Sequence, residues 1–253
     1  VAPSDTERGA AARTMQLLWS PPGAPSPSTA GLTLEAIIDA ATVIADERGD
    51  AAVPLRAIGD RLGCTAMALY TYVGGKAELL DLMHDRTYAQ FGTAPPVSVV
   101  EWCERLLELY LAHPWMLDLA HSRPALGPHQ QQAFESLLGT LVPNSFDRRD
   151  VVAIASSAFS LPASAARTIV DARGALSGSV EDNELWWNER MDTLAAAAPD
   201  FAARFPLASG LSQHQPAAGT GTTPDDVPTL ERAARDNLRR AVELLVAGAS
   251  GRD

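Results

Sequence analysis

An all-α fold is predicted by three observations. Apolar residues recur at the three- and four-residue spacing of a helix along most of the chain. No segment of any length alternates apolar and polar residues as a half-buried strand would. Glycine, proline and capping residues divide the chain into pieces of helical length. The 253 residues, 46% of them hydrophobic, suffice for one or two domains with a real core. The net charge of −11 is the opposite of a basic nucleic-acid footprint. Residues 31–81 hold four cations against eight anions, so bulk electrostatics does not announce DNA binding. Cys64 and Cys103 stand 39 residues apart, make neither a zinc site nor a disulfide framework, and suit a reducing compartment. No signal peptide is read at the start. The most apolar run, residues 151–166, contains Pro162 and is too short to span a bilayer. The expected location is cytoplasmic, with no membrane partner.

The elements follow in order. Residues 6–19 suit a short helix, and residues 20–30, rich in Pro, Ser and Gly, read as a linker. Thr33 precedes an amphipathic stripe of Leu34, Ile37, Ile38, Ala41, Ile44 and Ala45, and Gly49 closes it. Leu55, Ile58 and Leu62 form the buried stripe of a second helix, with Pro54 at its first position and Gly63 at its end. Thr65 caps a third helix over residues 66–73, which turns Leu69 and Val73 inward and leaves Ala66, Met67, Tyr70 and Thr71 outside. A short helix that shows solvent a tyrosine, a threonine and small residues fits the major groove of DNA.

Residues 76–91 supply the helix on which this small three-helix unit must lean. Further helices are expected at residues 99–112 and 130–141, with a short helix or turn at 115–121. Beyond these, residues 150–173 hold an Ala- and Ser-rich helix kinked by Pro162, and residues 184–197 another. Residues 207–228 read as a long loop. The last helix carries Leu230, Ala233, Ala234, Asn237, Leu238, Ala241, Leu244 and Leu245. Its stripe is long for a chain end and is expected to pair with the 150–173 helix across a two-fold axis, giving a homodimer.

The segment from Leu55 to Leu80 resembles the helix-turn-helix of the tetracycline-repressor (TetR) family of transcriptional regulators. The matching residues are Leu55-Arg56-Ala57-Ile58-Gly59, Leu62-Gly63-Cys64, Leu69-Tyr70-Thr71-Tyr72-Val73, Lys76 and Leu79-Leu80. Gly59 stands where the family usually has alanine, and Cys64 where it has valine. The His113-Pro114-Trp115 and Arg123-Pro124-Ala125-Leu126-Gly127-Pro128 pieces look like a C-terminal ligand domain frequent in actinobacterial TetR-type regulators. The resemblance implies an arm and linker at 1–30, a DNA-binding domain at 31–78 and a ligand-binding and dimerisation domain at 79–253. It implies operator DNA and a small apolar or polycyclic molecule as partners.

The DNA-facing set expected from these readings is Thr33, Arg56, Thr65, Ala66, Met67, Tyr70, Thr71, Tyr72 and Lys76. Tyr70 either reaches a phosphate or packs at a helix end, and the motif favours the phosphate. Lys76 opens a helix, where anions are favoured. Arg56 reaches DNA or stays solvated. Ala66, Met67 and Thr71 offer apolar contact more than bidentate hydrogen bonds. Arg8 and Arg13 of the arm either enter the minor groove or belong to a tail docked on protein. Trp102, Tyr110, Trp115, Phe134, Phe159, Trp186 and Trp187 are the candidates to line an apolar ligand pocket, all of them equally able to be core.

His113, His121 and His129 recur every eight residues but suit polar surface better than a metal site. No catalytic constellation stands in a convincing context, and no cofactor is expected. The function expected is a dimeric repressor that binds palindromic operator DNA and is released by a small molecule. The rival is an all-α small-molecule-binding protein or enzyme without DNA binding.

Overall fold

The computed structural model describes residues 5–20, 32–49, 51–119, 124–144, 146–175, 180–213 and 229–250. Among them are twelve α-helices and three 3-10 turns, and no β-strand. The helices are α1 (Asp5–Leu18), α2 (Leu34–Arg48), α3 (Leu55–Leu62), α4 (Ala66–Leu69), α5 (Lys76–Tyr88) and α6 (Val99–Ala112). They continue with α7 (Pro128–Leu141), α8 (Arg148–Ala175), α9 (Val180–Ala197), α10 (Phe201–Arg204), α11 (Pro206–Gln213) and α12 (Thr229–Ser250). The 3-10 turns are Ala89–Phe91, Pro114–Asp118 and Val142–Asn144. The chain divides into two compact units, residues 1–163 with 242–253, and residues 164–241. No described helix is long and apolar enough to cross a membrane.

The first unit holds the helix-turn-helix. The Thr33 side chain accepts from Ala36 N at 3.1 Å and starts α2. Gly49, at φ 71°, ends it in the left-handed conformation that glycine adopts without steric cost. Ile37, Ile38, Ala41, Ile44 and Ala45 are buried as their spacing requires. Pro54 stands one position earlier than expected, as the N-cap of α3. Ile58, Leu69 and Val73 are fully buried. Each stabilises the unit by about 1.5–3 kcal/mol relative to exposure. Gly59 has a packing role: a Cβ there would lie 2.6 Å from the Cys64 carbonyl oxygen.

The reading helix is shorter than predicted. Thr65 accepts from Ala68 N, but α4 ends at Leu69. Tyr70, Thr71 and Tyr72 donate to carbonyls three residues back, so the last turn tightens into 3-10 geometry before Gly74-Gly75. Residues 207–213, expected as loop, belong to α11; the rest of that expected loop lies outside the described residues, as do residues 21–30 of the linker.

Behind the helix-turn-helix, the first unit packs α5, α6, α7 and the N-terminal part of α8. Trp102, Leu106, Leu107, Tyr110, Trp115, Met116 and Leu137 form its core. Cys103 is buried there, and burial, then the nearby Glu104, pushes its thiol up to about 12, so it stays protonated and unreactive.

In the second unit Ala166, Ile169 and Leu238 are buried. The Glu231 carboxylate is also buried and accepts from Arg173 Nη2 at 2.8 Å and from Arg235 Nη2 at 2.8 Å. Burial alone would raise its pKa, but the hydrogen bonds from Arg235 and Arg173 hold it below the usual value. Leu238, expected at a dimer interface, is thus enclosed within a single chain; Leu230 and Leu244 are the exposed leucines of α12.

Candidate DNA-reading head and ligand cavity

The reading head is built by local sequence. The cap at Thr65 and the two inward anchors Leu69 and Val73 leave one surface outside. Met67 is 76% exposed and Tyr70 51%. Thr65, Thr71 and Lys76 are exposed and Ala66 is half-buried. Arg56 projects from the first turn of α3, 91% exposed at its side chain, with Asp60 4.0 Å away. Thr33 is exposed at the start of α2, its hydroxyl oxygen already used as the cap.

Tyr72 departs from its expected place on this surface. It is 3% exposed, and its hydroxyl donates to the Leu32 carbonyl at 3.0 Å. The tightened turn after Leu69 rotates Tyr72 toward the core, where it pins the entry to α2.

The arm helix α1 is docked on this unit. Arg13 Nη2 donates to the Tyr72 carbonyl at 3.1 Å, and Arg13 Nε lies 3.6 Å from Glu78 Oε1. The buried Thr14 hydroxyl donates to Glu78 Oε2 at 3.2 Å, and Gly74 N donates to Glu78 Oε1 at 2.6 Å. Glu78 of α5 therefore ties the arm to the tip of the helix-turn-helix. Further along α1, Leu18 is buried and the Trp19 indole donates to the Leu126 carbonyl at 3.1 Å. Of the two readings of the arm, the protein-docked one describes Arg13.

A cavity of about 810 Å³ opens in the same unit, a volume that suits a drug-sized molecule. One of its walls is a stripe on α5: Ala77, Leu80, Asp81, His84 and Tyr88, the spacing of a single helical face. Tyr110 of α6, Met116 and Leu119 add a second wall, and Gln130, Gln131 and Phe134 of α7 a third. Ser156, Phe159, Ser160 and Ala163 of α8 close it, with Pro124 and Leu126 at a loop. Leu126 holds a left-handed backbone at φ 59°, a strained conformation for leucine. Its N–H donates to Gln130 Oε1 at 3.0 Å and its carbonyl accepts from Trp19.

A polar chain lies at one end. A hydrogen bond joins the Tyr88 and Tyr110 hydroxyls, and the Gln130 side chain joins that of Tyr88. Burial raises both phenols, Tyr88 well above its usual value and Tyr110 up to about 12, so both remain neutral donors. Asp85, also on α5 and buried, caps α7 from outside that helix. Its Oδ1 accepts from Gln130 N at 2.9 Å, and its Oδ2 lies 2.8 Å from His129 Nδ1. Gly127 leaves the space that this carboxylate fills.

Of the seven expected pocket aromatics, Tyr110, Phe134 and Phe159 line the cavity. Trp102 and Trp115 do not, because each is fully buried with its indole N–H satisfied inside the protein. Trp102 donates to the Ala133 carbonyl at 2.9 Å and backs Phe159 edge-on at 5.0 Å. Trp115 donates to Asp46 Oδ1 at 2.8 Å, an atom that also lies 2.8 Å from His113 Nδ1. Trp186 belongs to the second unit, is 52% exposed and lies under Arg190, 5.5 Å from its ring. The side chain of Trp187 lies outside the described residues. Sequence reasoning missed Asp81, His84 and Tyr88, although their spacing on α5 was a readable signal. Among the described residues no group of three or more His, Cys, Asp or Glu is placed to hold a metal ion.

The helix that follows the helix-turn-helix, α5, thus also walls a ligand-sized cavity. Residues 37–83 match the family described as bacterial regulatory proteins, tetR family. The HTH-type transcriptional repressor DrrR1 of Streptomyces coeruleorubidus is 39% identical over 146 residues, 53% of each chain. An HTH-type transcriptional regulator of Saccharopolyspora erythraea is 30% identical over 142 residues, 54% of this chain and 60% of its own. The chain thus spans little more than half the length of the curated relatives it matches. The apo structure of ActR from Streptomyces coelicolor superposes with a TM-score of 0.63 at 22% identity, over 88% of this chain and 98% of ActR, which establishes the shared fold. The similarity to the tetR family of bacterial regulatory proteins is carried by residues 37–83, the helix-turn-helix part of the chain.

Proposed function

We propose that this protein is a transcriptional repressor that binds palindromic operator DNA as a homodimer and is released by a small molecule in the α5–α8 cavity. One observation carries the reading: α5 belongs to both sites. It begins at the exposed Lys76, five residues after Thr71 of the outward face, and its Ala77–Tyr88 stripe walls the cavity. A ligand that fits one position of α5 better than another biases the reading head, and only such a differential affinity regulates DNA binding.

The DNA-facing set is Thr33, Arg56, Thr65, Ala66, Met67, Tyr70, Thr71 and Lys76. Ligand contacts fall to Tyr88, Tyr110, Phe134 and Phe159, with Asp81, His84 and Gln130 as polar groups. ActR has been crystallised with actinorhodin, which makes polycyclic aromatic compounds the first to screen here. Dimerisation is assigned to α8 and α12, whose exposed Val152, Leu230 and Leu244 are the residues to alter.

The test is fluorescence anisotropy with DNA from upstream of the protein's own gene, with and without compounds that raise its melting temperature. Sequence-specific binding that a stabilising compound abolishes is the expected result. Failure to bind any upstream DNA above non-specific affinity sinks the reading and favours a ligand-binding protein on the same scaffold.

A further inference from the structure

The cavity wall carries a carboxylate with no hydrogen bond or ion pair among the described residues, that of Asp81. It lies half-buried on the α5 stripe, between Leu80 and His84 of the same face. Its neighbours differ in this respect. Asp85, one turn on, is used by Gln130 N and His129, and Glu78 is used by Gly74 N and Thr14. Burial, and then the nearby Glu78 carboxylate, raise the Asp81 pKa above its usual value, as expected for a carboxylate facing apolar wall rather than bulk water.

The remainder of the wall decides what such a carboxylate is suited to meet. Among the described residues the cavity lining contains no Lys or Arg, and its titratable base is His84, whose ring stands edge-on to Tyr88 at 5.2 Å. An anionic molecule would meet a like charge there and, among the described lining residues, no fixed cation. Phe134, Phe159, Tyr88 and Tyr110 offer aromatic faces, which attract a cation as well as a flat ring system. The acidic chain as a whole, at −11, favours the approach of cations.

We propose that the cavity takes a cationic, amine-bearing aromatic molecule, and that the Asp81 carboxylate is the anchor of its positive charge. The proposal rests on the reading of this cavity as the ligand site and adds the chemical class. The rings stack among Phe134, Phe159 and the tyrosines, and the ammonium pairs with Asp81. The charge is then recognised on α5, the helix that begins with Lys76 at the reading head. Binding and response therefore share one element.

The test uses the full chain and three tricyclic probes of similar footprint: 9-aminoacridine, which is cationic, neutral 9-anthracenemethanol, and anionic 9-anthracenecarboxylate. Affinities come from fluorescence titrations at neutral pH and fixed salt, on wild type, Asp81→Asn and Asp81→Glu. Wild type should bind the cation about tenfold more tightly than the neutral probe, the low end for a close charge pair because Asp81 is half-exposed. The anionic probe should bind least. Asp81→Asn should bring the cation to the neutral probe's affinity without changing the latter, and Asp81→Glu should keep the preference. Melting curves check that both variants fold. Cation binding that persists in Asp81→Asn reports general attraction to an acidic chain and overturns the charge assignment. Binding of the neutral or anionic probe as tightly as the cation overturns it too, yet leaves the ligand cavity in place. Failure of all three probes to bind overturns the cavity reading and the charge assignment together.

Discussion

The reading head and the cavity lie in the same unit and are made in opposite ways. From Arg56 to Lys76 the head is assembled from some twenty consecutive residues, and its helix ends and outward face answer to neighbours a few positions away. Thr65 caps Ala68, Gly63 ends α3, and Leu69 and Val73 set which face is outward. The cavity draws its walls from α5, α6, a 3-10 turn, α7 and α8. Its critical contacts are distant in sequence: Asp85 caps Gln130, Trp19 holds Leu126, and Trp102 supports Phe159. A reading surface built from local contacts tolerates substitution without loss of fold. A cavity built from long-range contacts does not, since its lining and its support are the same packed core.

The largest test of this difference lies among the tryptophans. Trp102→Ala should cost about 3–5 kcal/mol, the value for removing a large aromatic from a sealed core. Trp186→Ala, at an exposed position, should stay within about 0.5 kcal/mol. Urea unfolding midpoints of the two variants measure the contrast, and equal effects would break it. Next in size is Gly127→Ala. A Cβ there falls on the Asp85 carboxylate, so overpacking and loss of the α7 cap should together cost about 1–3 kcal/mol. Its unfolding midpoint in the same assay should drop, while Gly139→Ala, where a Cβ meets nothing within 4 Å, should not lose stability.

The head should behave in the reverse sense. Met67→Ala and Tyr70→Ala should leave the melting temperature nearly unchanged and weaken operator binding by about tenfold or more each in anisotropy titrations. A smaller effect is expected at the cavity wall. Asp81 has a folded-state pKa above 3.8, so its charged form costs stability at neutral pH, and that cost fades as the pH falls through the folded value toward 3.8. Asp81→Asn should therefore melt slightly higher at pH 7 and show no gain near pH 3.5.

The smallest expected effect is a null result. In the proposed dimer, Arg56 and Lys76 would bring four cations to DNA, hence an expected slope of log K against log salt of about −3.6. A chain beginning at Ala30 should keep that slope, because Arg13 is bonded to the Tyr72 carbonyl and faces Glu78. Loss of about three units on truncation would place the arm on DNA and break the assignment of α1 to the protein side.

The all-α class, the helix-turn-helix and most of its outward face were legible in the residues themselves. Helix propensity, caps and periodicity act over one or two turns, and one or two turns of sequence contain them. Thr33, Gly49, Gly63 and Thr65 mark the ends of α2 to α4 in the structure as in the sequence. The exception, Tyr72, depended on a switch to three-residue hydrogen bonding that no single residue announces.

What only the tertiary structure decided is which buried group meets which. The sequence offered seven aromatics as pocket candidates, and packing sent three to the cavity and two to the core, with Trp186 at the surface of the other unit. Periodicity says that a residue faces inward, but not whether the space before it is filled by another side chain or left open. That depends on helices brought together from positions 77 to 163. For the same reason Glu78, Asp81 and Asp85, three carboxylates on one helix and equivalent on paper, came to hold the arm, face the cavity and cap α7.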